Sequence, residues 1–103
     1  MNKEARFGFI VTIRFSKKFH IRTIFSKIKK ALKIWGNPIV CGPAKMQIYG
    51  VDTRFWKPVI LEITDRHLVI ISGCNNTIQR FVRFIEKNVD SMAKIFIGDR
   101  RIK

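Results

Sequence analysis

The carboxylates and imidazoles of this chain are few, and any acid–base or metal chemistry has to come from them. Asp52, Glu62, Asp65 and His67 make up the one local cluster of acid and imidazole. Glu62 and His67 flank a short Asp65-Arg66 connection between two apolar segments, which reads as a hairpin with the two residues on adjacent strands. Carboxylates so placed could hold Mg²⁺ for a nuclease centred on Glu62. The spacing Asp-Glu-x-Lys is missing, however, as are a His-x-His pair, a Walker loop and a nucleophile elbow. The plainer reading is turn acids that balance Arg54 and Arg66. Cys41 and Cys74 form no Cys-x-x-Cys pair and have no metal-ligand spacing to His20 or His67. Two small, mostly buried thiols are expected, with no metal, no cofactor and no catalytic residue.

Charge is the stronger signal. Twenty-one Lys and Arg face seven Asp and Glu over 103 residues, a net +14. The excess is uneven: residues 1–35 hold ten cations and one acid (+9), and residues 36–103 hold eleven and six (+5). Such a field draws polyanions, so nucleic acid is the expected partner, with an acidic protein or an anionic membrane as the alternative.

Four places could meet that partner. One is a sheet face carrying Arg6, Ile10, Thr12, Arg14, Lys45, Gln47 and Tyr49, where cations beside a stackable ring suit phosphate and base together. A second is the cationic side of a helix, with Arg22, Lys29, Lys30 and Lys33 extended by Lys17, Lys18 and Lys27. No Glu stands within it to form i, i+4 pairs, so these lysines repel one another until an anion arrives. A third is the tip Arg54-Phe55-Trp56-Lys57, able to clamp an unstacked base, although one of its rings could instead close the core. The fourth, residues 72–77, is a glycine turn entering a helix, whose amides suit a phosphate or merely cap the helix.

The elements that position these residues follow from periodicity. Residues 5–15 alternate, with Phe7, Phe9, Val11, Ile13 and Phe15 on one side, as in a strand. Residues 19–35 repeat apolar positions at Ile21, Ile24, Phe25, Ile28, Ala31, Leu32 and Trp35, the face of an amphipathic helix. Ser16 or a neighbour is its expected cap, Gly36 its left-handed C′ residue, and Pro38 bars continuation. Residues 39–41 read as a short edge segment, and strands are expected at 45–49, 59–64 and 67–72. A second helix, capped by Asn75, Asn76 or Thr77, carries the stripe Ile78, Phe81, Val82, Ile85 and Val89. Residues 93–97 offer a last short strand, and 98–103 a flexible basic tail.

The expectation is one α+β domain over residues 1–103, in the order β-α-β-β-β-α-β. Two helices pack on one face of a largely antiparallel sheet, and the other face is left for a ligand or for a homodimer. In element order this is similar to one half of the TATA-binding-protein fold and to ferredoxin-like RNA-binding domains, without the aromatic RNP pattern of the latter. The functional expectation is a small, non-enzymatic RNA- or DNA-binding protein that contacts phosphates through Lys and Arg and bases through aromatic stacking. Its alternative is an assembly protein that docks on an acidic surface and dimerises. No apolar run approaches the roughly 20 residues of a membrane span, and no secretory signal is legible, so an intracellular place, cytoplasmic or nuclear, or inside a host cell, is expected.

Overall fold

Alternation builds the sheet. In the computed structural model, which describes residues 9–97, strand β1 spans Phe9–Arg14 and buries Val11 and Ile13 while Arg14 faces solvent. The same period of two runs through β3 (Lys45–Asp52), β4 (Lys57–Thr64) and β5 (His67–Ser72). Their Met46, Ile48, Leu61, Ile63, Leu68 and Ile70 are at most 1 % exposed. With β2 (Ile34–Gly42) and β6 (Lys94–Ile97) they form one six-stranded antiparallel sheet in the order β2-β3-β4-β5-β1-β6. The first strand is therefore enclosed by β5 on one side and β6 on the other.

Both helices cover one face of this sheet. Helix α1 (Ile21–Leu32) buries Ile21, Ile24, Ile28 and Leu32, and α2 (Asn75–Asn88) buries Thr77, Ile78, Phe81 and Ile85. These residues merge with the inward side chains of the strands into one core. The α+β class, the antiparallel sheet and the one-sided helices are as expected. Arg6 and the tail at 98–103 lie outside the described residues. Among the described residues no helix is long and apolar enough to cross a membrane.

Several local expectations are corrected. Helix α1 stops at Leu32, and Trp35 lies in β2, 70 % exposed, rather than on the apolar stripe of the helix. The residue that takes the left-handed conformation is Lys33 (φ 55°), not Gly36. No glycine is needed there, because the helix end is tied from a distance. Thr53 donates its N–H (3.2 Å) and its hydroxyl (2.8 Å) to the Lys33 carbonyl, and Arg54 Nη2 donates to that of Ala31 at 3.0 Å. Gly36 serves a different need. It pairs with Gly50 across β2 and β3, where a Cβ on Gly36 would come within 2.7 Å of the Tyr49 carbonyl oxygen.

Residues 39–41 belong to that nine-residue edge strand, so four strands separate the helices instead of three. Pro38 is accommodated because β2 is an edge. Neither helix has a side-chain cap. His20 and Cys74 hold the N-cap positions, while Asn75, Asn76 and Thr77 already lie in the first turn of α2. Ser16 bonds Asp90 instead.

Candidate nucleic-acid interface

Where α1 and α2 lie side by side they leave a groove whose walls are cationic. One cavity of about 310 Å³ is lined by Lys27, Lys30, Ala31, Phe84 and Asn88. A second, of about 240 Å³, is lined by Leu32, Arg80, Arg83, Phe84, Lys87 and Asn88. They share Phe84 and Asn88, so they form one trough with an apolar floor and five cations along it. No acid is among these lining residues. At 100° per residue Arg80, Arg83 and Lys87 fall on one flank of α2, and Glu86 is turned at least 60° past Arg83 toward the other. The Nε of Arg80 is buried and has no acceptor among the described residues, so one donor of this guanidinium is unspent.

The residues expected to bind are distributed over three surfaces. Lys30 and Lys27 line the groove; Arg22 and Lys29 lie on the other flank of α1, with Lys29 Nζ 5.7 Å from the Phe25 ring centre. Lys33 ends the helix. Lys17 and Lys18 are exposed in the preceding loop, Lys17 Nζ lying 5.4 Å from the Phe19 ring. Arg54 is engaged with the C-terminus of α1, where its charge complements the helix dipole. Phe55 is half-buried, whereas Trp56 is 76 % exposed with φ 54°, and Lys57 is the exposed first residue of β4. One ring of the tip thus packs and the other projects.

On the sheet face turned away from the helices, Arg14 stands beside His67 and Lys94 at one end. Arg14, Arg66 and Lys94 line a cavity of about 410 Å³ with Phe15, Ser16 and Met92. Tyr49 lies on β3, next to the edge strand, in register with Asn37, Ile60, Ile71 and Ile10. Lys45 pairs with Glu62 at 3.3 Å, and Gln47 Nε2 donates to the same carboxylate at 3.0 Å. The Gln47 bond first, and Lys45 after it, lowers the Glu62 pKa against the opposing effect of burial. Glu62 lies opposite Gln47 and Val69 and not His67, which is opposite Arg14. Among the described residues no three His, Cys, Asp or Glu side chains gather as metal ligands would.

Cys41 is exposed and Cys74 half-buried. Burial alone would push the Cys74 thiol up, but the nearby polar groups of Thr77 and Asn76 at the start of α2 bring it below its ordinary value. Arg80, Arg83 and Lys87 escaped the sequence reading of binding residues because each merely falls outside the apolar stripe of its helix. Only the packing of α2 against α1 brings them to Lys27 and Lys30. Arg66 and Lys94 meet Arg14 in the same way, through strand order.

A family model described as MJECL33-like protein matches residues 2–103 of the chain. No curated protein and no solved structure matches it.

Proposed function

The chain belongs to the MJECL33-like protein family, and we propose that it is a non-enzymatic nucleic-acid-binding protein of the cell or host-cell interior, holding a phosphate backbone in the groove between α1 and α2. The observation that carries this reading is the convergence of Lys27, Lys30, Arg80, Arg83 and Lys87 along a trough with no acid among its lining residues. Cations so close repel one another, and a row of phosphates relieves that repulsion. The Phe84 floor suits the apolar edges of sugars. Trp56, projecting from the β3–β4 turn, supplies a ring on which an unpaired base can stack.

The test is a titration of labelled single- and double-stranded DNA and RNA at rising salt, with anionic vesicles as a parallel arm. Binding that weakens steeply with salt, by about 0.7–0.9 log units per log unit of salt for each phosphate neutralised, is the expected result. Absence of binding at low salt, or affinity that is flat with salt, overturns the reading. Flotation with vesicles but no retention of oligonucleotide assigns the groove to a membrane surface instead.

A further inference from the structure

The outward face of the sheet differs in character from the helical groove. Its central row is Asn37, Tyr49, Ile60, Ile71 and Ile10, and the next is Ile39, Gln47, Glu62, Val69, Thr12 and Phe96. Trp35, Tyr49 and Ile39 are all more than half exposed. Trp35, Tyr49, Val51, Pro58 and Ile60 border an apolar cleft of about 370 Å³. The acid within these rows, Glu62, is already matched by Lys45 and Gln47. In a chain of net +14 these two central rows are mostly apolar and carry no unmatched charge, and the cations Arg14 and Lys94 are confined to the row at one end.

We propose that this face is the interface between two copies of the chain, packed sheet on sheet with the helices outward. The inference is independent of nucleic-acid binding. Three observations favour a second copy as the occupant. The first is area: six strands about 4.8 Å apart, with four rows of side chains about 6.7 Å apart, give a face of roughly 500 Å² in plan. The relief of Trp35, Tyr49 and Phe96 carries the accessible area toward the roughly 800 Å² per partner of a standard interface.

The second is charge. A polyanion finds few cations in the central rows, and a strongly acidic partner finds none left unpaired, whereas an identical face is matched in polarity. Because Glu62 keeps both its partners, covering it leaves no lone charge. The third is symmetry. A two-fold axis in the plane of the sheet and across the strands lays each strand over its own counterpart with the ends exchanged, so the Arg14–His67–Lys94 clusters of the two copies stand apart. Like charges are then held at opposite ends of the interface. In this assembly both basic grooves face outward, on opposite sides.

The experiment is sedimentation equilibrium of the full chain at about 0.5 M salt, where nucleic acid is screened off. A mass of twice 12.1 kDa is expected. Ile60→Asp should return it to the monomer with its far-ultraviolet circular dichroism unchanged. Because an inserted charge can also disturb folding, Trp56→Phe provides a second readout, leaving Trp35 as the sole tryptophan. Its emission should shift to the red as the protein is diluted from about 100 µM to about 0.1 µM.

A monomer at the highest concentration overturns the proposal, as does a dimer that survives Ile60→Asp. Blue emission at monomer mass that ignores dilution gives the face to the chain's own termini and also overturns it. So does quenching of Trp35 by oligonucleotide at monomer mass, which gives the face to bases. Loss of the dimer leaves salt-dependent binding by the groove intact, so the two readings fail separately.

Discussion

Ser16 and Asp90, 74 residues apart in sequence, are bound to each other through both donors of Ser16, its backbone N–H and its hydroxyl, the latter shared between the two carboxylate oxygens. The buried carboxylate of Asp90 accepts the Ser16 backbone N–H at 2.6 Å and the Ser16 hydroxyl at 2.9 Å, while its Oδ1 also takes the Met92 N–H at 3.0 Å. This joint ties the loop after β1 to the turn that follows α2, and so fixes where the last strand can lie. Burial by itself would raise the Asp90 pKa. The Ser16 and Met92 donors and the nearby Lys17 outweigh it and hold the carboxyl below the usual carboxylate range.

The sign of the pH dependence follows. A carboxyl whose pKa is lower in the folded chain than the roughly 3.9 of the unfolded one binds fewer protons when folded. Its stabilisation is complete above the unfolded value and is lost as pH falls through the folded one. Asp90→Asn should cost about 1–3 kcal/mol in urea denaturation at neutral pH. Near pH 3 the gap between wild type and variant should narrow. An unchanged gap at both pH values would mean that the ionised carboxylate is not the source.

The groove makes a graded prediction. Arg83→Gln and Lys87→Gln each remove one cation from the trough, and each should reduce the salt slope by about 1 and weaken DNA and RNA uniformly across sequences. Because Arg83 and Lys87 are exposed, stability should stay within about 0.5 kcal/mol of wild type. Arg22→Gln, on the other flank of α1, is the control and should change the slope less. Equal effects from all three would point to net charge and not to a trough.

Trp56 sets stability against binding. A large side chain at φ 54° is strained, so Trp56→Gly should stabilise the fold by about 1 kcal/mol. The same change should weaken single-stranded oligonucleotides by about 1–3 kcal/mol if the ring stacks on a base. Thermal denaturation and fluorescence anisotropy on one preparation measure both. A gain in stability without loss of affinity would make Trp56 a surface residue with no ligand.

The glycine pair predicts a strictly local cost. A Cβ on Gly36 would meet the Tyr49 carbonyl, and one on Gly50 the Trp35 carbonyl. Either Gly→Ala change must push β2 away from β3, at a cost of about 1–3 kcal/mol. Hydrogen exchange should quicken in β2 and β3 while β1 and β5 remain protected. Uniform quickening throughout the sheet would contradict this.

The strands were legible because burial on one face imposes a period of two, and the alternation of Phe9, Val11 and Ile13 or of Met46 and Ile48 survives in the structure. The end of α1 was not. Trp35 continues the apolar spacing of Leu32, and Gly36 followed by Pro38 resembles a helix stop. What ends the helix is a pair of donors, Thr53 and Arg54, about twenty residues further on. Long-range partners of this kind leave no mark on local sequence. The groove was hidden for a related reason. Which cations converge depends on which flank of α2 meets α1, and periodicity identifies only the buried stripe.

The position of β1 in the sheet has a consequence for synthesis. As the chain emerges from the ribosome, β2 to β5 can close as successive hairpins, each using neighbours already made. β1 cannot. Its two flanking partners begin at His67 and Lys94, so one edge of β1 stays bare until β5 is made and the other until β6 follows α2. Closing the sheet is therefore a non-local step, in which β1 must be flanked by two strands that follow it only after β2, β3 and β4 have been made.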